Sequence, residues 1–329
     1  MKSPREPQIT PCSARGFVIE STQIRTRVRR EDTVLREVRK LTDERLRALF
    51  APRPRDCHKG TFGTVGLIGG CIRYSGAAKL ANLALSALRA GCGISRLAVP
   101  ESLTQAVLPY LVESTLYPLP VDASGNLRYT PEAAEGFLRG LTAVGCGMGW
   151  DENPAGANYL EVFLARKGLT LILDAGALGL LAKNPALLRA HAARVVLTPH
   201  PGEFSRLTGV SIPEILAHPQ EMAEAYAREH DCILLLKGTE TIVTNGAETY
   251  RVDRGGAGMA TGGSGDVLTG VLTGLMGYLG ATPETVAAGA YLAGVAGELA
   301  EEKMTDIAMT ARDTVDALPA AIRLLREEK

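Results

Sequence analysis

The sequence has no excess of charge of either sign, because 36 lysines and arginines balance 36 aspartates and glutamates in 329 residues. A balanced chain has no overall field that attracts nucleic acid or an anionic membrane. No signal peptide is evident, since prolines and charges fill the N-terminus where an apolar segment is needed. The longest charge-free run, residues 267–283, is interrupted by glycines and slightly short for a membrane span. These absences predict a cytoplasmic protein with small-molecule partners, and neither nucleic acid nor a membrane among them.

Several catalytic and binding motifs are missing as well. No Gly-Lys dipeptide occurs, which excludes a Walker-type P-loop, and residues 66–70 have the wrong glycine spacing for a Rossmann fingerprint. No Gly-x-Ser-x-Gly nucleophile elbow is present, and the five histidines show no zinc-ligand spacing. The six cysteines include no Cys-x-x-Cys pair, which favours reduced packing residues. Covalent and zinc chemistry are therefore disfavoured.

The most unusual stretch that the sequence does contain is residues 255–280. Its first half is nearly all glycine and other small residues, which free the backbone to turn N–H groups toward an anion such as a phosphate. Its second half has apolar residues at helical spacing, namely Val267, Leu268, Val271, Leu272, Leu275 and Leu279. Asp266 therefore lies at a predicted helix N-terminus, where unpaired N–H groups and the helix dipole favour a phosphoryl group.

Two interpretations of Asp266 follow from this position. An acidic residue in the first turn complements the helix dipole, and that role needs no ligand. Alternatively, the carboxylate is a base that takes a proton from a substrate hydroxyl while the glycine loop holds a phosphate. The combination of a lone carboxylate with a glycine loop that opens an apolar helix favours the catalytic interpretation.

Short apolar strands alternate with helical stretches along most of the chain. We predict strands at residues 64–68, 95–99, 143–146, 169–173, 194–198 and 232–236, with the first intervening helix at about residues 76–90. This alternation predicts an α/β fold with a mainly parallel sheet covered on both faces. Asn245-Gly246 lies between predicted strands at 241–244 and 248–252 and indicates a hairpin. The sheet is therefore expected to have an antiparallel edge.

The two ends of the chain receive different predictions. Residues 1–37 hold several arginines and no lasting apolar period, and we predict a poorly ordered basic extension. The domain proper is predicted at 38–329 and starts with a helix at 41–49 capped by Thr42. Helices are also predicted at 282–302 and 310–325, and Pro319 is expected to break or kink the second.

Three short segments directly follow predicted strands. They are residues 145–149, 174–177 and 199–203, which include Gly147, Asp174, His200 and Glu203. Because ligands on parallel sheets bind at the carboxyl ends of strands, we expect these segments to converge on one cleft.

Four segments together resemble the ADP-dependent NAD(P)H-hydrate dehydratases. They are His58-Lys-Gly-Thr-Phe-Gly63, Leu197-Thr-Pro-His-Pro-Gly-Glu203, Leu236-Lys-Gly-Thr239 and Gly258-Met-Ala-Thr-Gly-Gly-Ser-Gly-Asp266. Their shared order and compatible spacing make the resemblance specific, and it covers about residue 40 to the end. It implies a ribokinase-like three-layer fold. The family is often fused to an N-terminal epimerase domain, for which residues 1–37 are too short.

The resemblance implies repair of a damaged cofactor. The S epimer of hydrated NADH or NADPH would be dehydrated to NADH or NADPH, with ADP converted to AMP and phosphate. ADP would phosphorylate the hydroxyl of the hydrate, because hydroxide is a poor leaving group, and the ring nitrogen would then expel phosphate. Asp266 would be the base, the glycine loop would hold the phosphoryl group, and Mg²⁺ would bind the phosphates.

The resemblance also implies binding residues, position by position. Those for the adenine nucleotide are Lys237, Gly238, Thr239, Glu240, Thr241 and Gly265, and those for the hydrated dinucleotide are Ala77, Gly147, His200 and Asp266. Each has a structural alternative, such as close backbone packing at the small residues, a solvated turn lysine, or a turn histidine bonded to a carbonyl. The family often has Gly-Asn where this chain has Gly255-Gly256, so one side-chain amide is absent. Metal ligands are not identified.

Other functions stay open at this point. A ribokinase-like kinase of a small alcohol, such as a vitamin precursor, uses the same geometry and releases a stable phosphorylated product. A nucleotide sensor that has lost the chemistry is a non-enzymatic alternative, although binding alone needs no base at Asp266. We also predict a homo-oligomer, with a homotetramer as one option, and an epimerase as a functional partner. The preference between ADP and ATP is not encoded in any residue that we identify.

Overall fold

One ten-stranded sheet is formed by the residues that the computed structural model describes, which are 37–85, 89–151 and 153–327. The strands are β1 (Val38–Arg39), β2 (Thr64–Ile68), β3 (Ile94–Pro100), β4 (Thr115–Leu119), β5 (Ala143–Cys146), β6 (Thr170–Leu173), β7 (Arg194–Leu197), β8 (Ile233–Leu236), β9 (Thr241–Thr244) and β10 (Thr249–Val252). Their order across the sheet is β1-β10-β9-β8-β7-β6-β5-β2-β3-β4. The predicted extension lies outside the described residues except for Glu37.

Most neighbouring strands pair in parallel, and β9 runs opposite to both β8 and β10. The hairpin at Asn245-Gly246 joins β9 to β10, with Thr244 opposite Thr249. These pairings confirm the prediction of a mainly parallel sheet with an antiparallel edge. The outermost strand on that side is β1, which pairs in parallel with β10 and was not predicted.

Both faces of the sheet are buried, because successive strand residues enter different cores. In β6, Leu171 and Leu173 contribute to one apolar cluster and Ile172 to the other. In β7 the same alternation occurs. Val196 packs in the cluster that contains Ile172, whereas Val195 and Leu197 pack in the cluster that contains Leu171 and Leu173. A strand buried on both faces carries an unbroken apolar run, and this run is the signal from which the strands were predicted.

The helices cover the two faces in two groups. The first group is α1 (Asp43–Leu49), α2 (Ser75–Leu85), α3 (Thr104–Val107), α10 (Ser264–Leu279), α11 (Pro283–Met304) and α12 (Ala311–Arg326). The second is α4 (Pro131–Leu138), α5 (Pro154–Leu164), α6 (Gly176–Lys183), α7 (Pro201–Thr208), α8 (Ile212–Ala217) and α9 (Pro219–Glu229). This is the three-layer arrangement that the sequence predicts. Among the described residues, no helix is both long and apolar enough to span a bilayer.

The break predicted at Pro319 does not occur, since α12 runs without interruption from Ala311 to Arg326. Proline has no N–H to donate to the carbonyl four residues earlier, which here belongs to Val315. The guanidinium of Arg89 donates to that carbonyl instead, at 3.5 Å. A side chain from elsewhere in the fold thus replaces part of the lost hydrogen bonding.

Close packing against α2 fixes the position of α10. A Cβ atom at Gly270 would lie 2.2 Å from the carbonyl oxygen of Ala81, and one at Gly263 would lie 2.5 Å from Leu80 Cδ1. Glycine at these two positions therefore allows α10 to approach α2. As a result, the N-terminus of α10 is held at the carboxyl ends of the central strands.

Candidate active site

Asp174 is the centre of a hydrogen-bonded cluster at the ends of three parallel strands. Its Oδ1 accepts hydrogen bonds from Thr198 Oγ1 at 2.9 Å and from Lys237 Nζ at 2.9 Å. Its Oδ2 accepts from Thr269 Oγ1 of α10 at 3.0 Å. The residues that follow β6, β7 and β8 thus meet one helix, as expected from the rule that ligands bind at strand ends. Asp174 is only 2% exposed.

A second carboxylate, Glu203, lies on the other side of Lys237. Its Oε2 is 3.8 Å from Lys237 Nζ and accepts the backbone N–H of His200 at 2.9 Å. The imidazole Nδ1 of His200 accepts the N–H groups of Gly202 and Glu203 at 3.0 and 3.3 Å. His200 therefore caps α7. Its Nε2 lies 3.6 Å from Glu203 Oε2, and its side chain is 52% exposed.

Lys237 stays charged in this cluster. Burial lowers the pKa of Lys237, but the charges of Asp174 and Glu203, the hydrogen bond to Asp174 and the charge of Asp266 outweigh that effect, so the pKa is raised overall. The Lys237 backbone N–H also donates to the Pro199 carbonyl at 2.9 Å, which ties the end of β8 to the segment after β7. A fixed ammonium group at this place can bind a phosphate.

Asp266 lies in the first turn of α10 and has no hydrogen bond to its carboxylate among the described residues. Burial raises the pKa of Asp266 to about 7, with a further rise from the charge of Asp174 and a partial offset from Lys237. A carboxylate whose pKa lies near neutral pH and whose oxygens are free has the properties of a general base. This environment favours the catalytic interpretation over a dipole-complementing role.

Gly265 brings the helix backbone directly against the charged pair. A Cβ atom at this position would lie 3.5 Å from both Asp174 Oδ2 and Lys237 Nζ. Gly263, just before the helix, has a φ of +102°, a conformation that favours glycine. In the first turn of α10, the N–H of Ser264 donates to the Thr261 carbonyl at 3.4 Å and that of Val267 to the Gly263 carbonyl at 3.0 Å. Among the described residues, the N–H groups of Gly265 and Asp266 have no backbone acceptor. Unpaired N–H groups at a helix start, next to the ammonium group of Lys237, can bind an anion such as a phosphoryl group.

The first half of the glycine-rich stretch meets an anion of its own chain. The N–H of Gly255 donates to Glu298 Oε1 at 2.8 Å, and the N–H of Gly258 donates to Glu301 Oε2 at 3.0 Å. A Cβ atom at Gly256 would lie 1.9 Å from Glu301 Oε2, so glycine leaves the space that this carboxylate fills. The N–H groups of Gly255 and Gly258 thus face two glutamates of α11, Glu298 and Glu301, and not a phosphate.

The structure brings the predicted site residues together to different degrees. Asp266, Gly265 and Lys237 lie around Asp174, and His200 joins them through Glu203. Gly147 has a φ of +108°, and a Cβ atom there would lie 2.1 Å from the Asp174 carbonyl oxygen, so glycine allows close backbone packing at this position. Its predicted contact with the dinucleotide stays a prediction.

The other predicted residues lie at the margin of this cluster. Gly238, Thr239 and Glu240 form an exposed turn after Lys237, where Thr241 Oγ1 donates to the Gly238 carbonyl at 3.4 Å. Ala77 is half-buried in the first turn of α2, and its Cβ is 3.0 Å from where a Cβ of Gly149 would be. No ligand contact of these residues is tested by the structure, so their roles stay predictions.

Sequence reasoning assigned no role to Asp174, Glu203, Thr198 or Thr269. Asp174 and Glu203 lie in two of the segments expected to converge, so their position directly after strands was an available signal. The two threonines give no such signal, because they are ordinary strand-end and helix residues until the fold brings them to Asp174. Their side chains are fully buried.

A site for a metal ion built by the protein alone does not fit these residues. In the described part of the chain, no three His, Cys, Asp or Glu side chains are grouped as metal ligands. The oxygens of Asp174 already accept three side-chain hydrogen bonds, and Glu203 accepts a backbone N–H. Asp266 is the carboxylate of this cluster whose oxygens remain free.

Comparison with known proteins yields a family and close structural neighbours. A family model described as NAD(P)H-hydrate dehydratase matches residues 65–320. An ADP-dependent (S)-NAD(P)H-hydrate dehydratase from Cenarchaeum symbiosum is 32% identical over 288 residues, which cover 87% of this chain and 97% of that protein. A bifunctional NAD(P)H-hydrate repair enzyme from Moorella thermoacetica is 38% identical over 295 residues, which cover 88% of this chain.

This chain spans about half the length of the bifunctional protein, since the match covers 55% of it. Among solved structures, the ADP/ATP-dependent NAD(P)H-hydrate dehydratase from Bacillus subtilis, co-crystallised with ATP and Mg²⁺, has a TM-score of 0.73 and 28% sequence identity. The match covers 88% of this chain and 99% of that one. Such neighbours confirm the prediction of a ribokinase-like fold.

Proposed function

We propose that this chain catalyses the reaction of the family to which it belongs, the NAD(P)H-hydrate dehydratases. The reaction is the ADP-dependent dehydration of the S epimer of hydrated NADH or NADPH. Its products are the reduced dinucleotide, AMP and phosphate. This substrate and this phosphoryl donor are supported by the ADP-dependent (S)-NAD(P)H-hydrate dehydratase from Cenarchaeum symbiosum and the ADP/ATP-dependent enzyme from Bacillus subtilis, which match over nearly their whole length.

The first step transfers a phosphoryl group. Asp266 takes the proton of the substrate hydroxyl, and the oxygen attacks the terminal phosphorus of ADP. The bond between that phosphorus and the bridging oxygen breaks, and AMP leaves. Lys237 and the N–H groups of the first turn of α10 stabilise the charge on the transferring group.

The second step eliminates phosphate. The lone pair of the ring nitrogen forms a double bond to the carbon that carries the phosphate ester, and the C–O bond breaks. The neighbouring ring carbon then loses a proton, which restores the double bond of the dihydronicotinamide. The sum of both steps converts the hydrate and ADP into NADH or NADPH, AMP and phosphate.

Mg²⁺ enters this proposal as an ion carried by the nucleotide phosphates. The lack of a three-residue ligand set in the described part of the chain and the occupied oxygens of Asp174 and Glu203 support this arrangement. When bound, the ion neutralises charge on the phosphates. The chain itself supplies the ammonium of Lys237 and the helix N-terminus beside them.

The observation that carries the proposal is the state of Asp266. A free carboxylate with a pKa near 7, next to an anion-binding helix end, suits proton removal from a hydroxyl. A kinase of a small alcohol uses the same group, so the family match decides in favour of the dehydratase. The predicted homo-oligomer, the epimerase partner and the domain limits 38–329 stay predictions.

The test is recovery of NADH from its hydrate. The purified chain is incubated with the separated S and R epimers, Mg²⁺ and ADP, and the near-ultraviolet absorbance of NADH is followed. We expect recovery from the S epimer only, with one AMP formed for each NADH. ATP in place of ADP measures the donor preference. No recovery with either nucleotide contradicts the proposal, and a stable phosphorylated alcohol in a substrate screen favours the kinase.

A further inference from the structure

A cavity lies at the opposite end of α10 from Asp266. Its volume is about 730 Å³, which is within the range of small-molecule sites. The residues that matter for its chemistry are Arg53, Phe62, Leu275, Tyr278, Ile322 and Arg326. Tyr278 follows Asp266 by twelve residues on the same helix, so the two are about 18 Å apart along its axis. The cavity is therefore separate from the proposed active site.

The lining of this cavity is basic. It contains three arginines, and no aspartate or glutamate is among the described residues that line it. Arg89 is 3.7 Å from Asp316, whereas Arg53 donates to the Gly91 carbonyl at 2.6 Å.

Arg326 likewise donates to backbone carbonyls, those of Phe50 and Ala51 at 2.5 and 3.3 Å. Carbonyl groups carry no charge, and among the described residues no carboxylate forms an ion pair with Arg53 or Arg326. Most of the N–H donors of these two guanidinium groups have no partner in that part of the chain. Two such guanidinium groups at one cavity attract an anion.

Aromatic rings form the adjoining wall. The Arg53 guanidinium lies 3.8 Å from the centre of the Phe62 ring, and this ring meets Tyr278 edge to face at 5.7 Å. Burial raises the pKa of Tyr278, whereas the charges of Arg53 and Arg326 lower it, which places both cations near one phenol group. The anion-binding groups and the apolar surface therefore share one space.

We propose that this cavity binds a small organic anion with a flat apolar body. Its phosphate or carboxylate head lies between Arg53 and Arg326, and its body packs against Phe62, Leu275 and Ile322. Arginine forms paired hydrogen bonds with either head group, and the apolar wall supplies the area that a bare ion cannot use.

The test uses naphthyl phosphate and naphthoate as probes of the two head groups. Each is titrated into the full chain with saturating ADP and Mg²⁺ present, so that the proposed active site is occupied, and binding is measured by calorimetry. We expect one saturable site for at least one probe. Neutral naphthalenemethanol and inorganic phosphate should each bind at least about tenfold more weakly. The alcohol lacks the anionic head group, and inorganic phosphate lacks the apolar body.

Arg53→Gln and Arg326→Gln should each weaken probe binding about tenfold, a loss of one charge-assisted contact. Arg312→Gln, an exposed arginine of α12 outside the cavity, is the matched control and should bind the probe normally. Arg326 also donates to two backbone carbonyls, so circular dichroism is used to check that Arg326→Gln is folded. If Arg326→Gln is unfolded, the test rests on Arg53→Gln. Absence of saturable binding, or equal binding by parent and Arg53→Gln, overturns the proposal.

Discussion

The two halves of the glycine-rich segment before α10 differ in what their N–H groups meet. In the first half, Gly255 and Gly258 donate to Glu298 and Glu301 of α11. In the second half, the N–H groups of Gly265 and Asp266 have no backbone acceptor among the described residues, and Gly265 lies next to Lys237. The first half is thus anchored by carboxylates of the chain, and we call it the anchored half. In the proposed function the second half binds the phosphate of a ligand, and we call it the ligand-facing half. Glycine has two separate uses here, a close fit to the scaffold and an open anion site.

The largest effect on turnover should come from removing the carboxylate charge of Asp266 in the ligand-facing half. Asp266→Asn keeps the shape of the side chain but removes its ability to take a proton. We expect kcat for hydrate repair to fall about 1,000- to 10,000-fold, the upper part of the usual contribution of a general base. The Kd of ADP should change little, because the phosphate contacts come from Lys237 and the backbone. Steady-state kinetics and calorimetry measure the two quantities.

The matched control for this variant is Asp151→Asn, a change at an exposed aspartate that is not part of the cluster. It should leave both kcat and the ADP affinity at the parental values. If Asp266→Asn retains kcat within tenfold of the parent, Asp266 is not the base.

A second and smaller effect should follow from Asp174→Asn, which changes the buried centre of the ligand-facing half. Lys237 loses its nearest charge partner, so kcat/KM should fall about 100-fold, or about 2.7 kcal/mol. The charge of Asp174 also raises the pKa of Asp266, so its removal should lower that pKa. We therefore expect the acidic limb of the pH–rate profile, near pH 7 in the parent, to move to lower pH.

The shift of the pH profile distinguishes this role from a purely structural one. A variant that is merely destabilised loses activity at all pH values, and its acidic limb stays in place. An acidic limb that stays where it is in a folded Asp174→Asn protein contradicts the electrostatic link between the two aspartates. Circular dichroism establishes that the variant is folded.

The fold was predictable where local pattern is sufficient. Central strands such as β6 are buried on both faces, so their apolar runs identify them, and the bounds of β2, β5 and β9 agree with the prediction. The edge strands β1 and β4 were missed because they give no such run. β1 has two residues, and β4 is largely exposed and contains Pro118, which is atypical of a central strand.

The site was predictable for residues that a motif places, and less so for residues that only the fold brings together. Lys237 and Asp266 lie in segments with family resemblance, and both are found at the cluster. The role of Asp174 depends on Thr198, Lys237 and Thr269, of which the last two lie 63 and 95 residues further along the chain. No local pattern encodes such a set of partners.

The same limit explains why the anchored half was not recognised. Gly255 and Gly258 are each 43 residues from the glutamate that binds them. From sequence alone, a glycine that faces a phosphate and a glycine that faces a glutamate of α11 look the same. The distinction depends on where α11 packs, which is a property of the tertiary structure.

A smaller effect is expected from loosening the anchored half. Glu301→Ala removes the acceptor of the Gly258 N–H, so the segment that leads into α10 loses one charge-assisted hydrogen bond. We expect the KM for ADP to rise about tenfold, which corresponds to about 1.4 kcal/mol, with kcat within about twofold of the parent. Glu302→Ala, at the exposed neighbouring position, is the control. A drop in kcat as large as that of Asp266→Asn would mean that the two halves do not have separate roles.

The smallest expected effect is on the stability of the folded chain. Its measurement tests the environment of Asp266 without any ligand. The pKa of Asp266 is raised from 3.8 to about 7 in the folded chain. Between these values the folded state binds more protons than the unfolded state, so the free energy of unfolding falls as the pH rises through this window. Asparagine does not ionise, and Asp266→Asn escapes this loss.

Relative to the parent, the melting temperature of Asp266→Asn should therefore increase from about pH 4 to about pH 7 and then level off, with a gain of a few degrees at pH 8. Differential scanning calorimetry across this pH range measures the difference, with Asp151→Asn as the control that should follow the parent throughout. The same substitution would then stop turnover and stabilise the fold, as expected where a charge is held in a costly place for its chemistry. Equal melting temperatures of parent and Asp266→Asn at pH 8 would contradict the raised pKa of Asp266. They would thereby also contradict the role of Asp266 as a base whose pKa is adjusted for proton transfer.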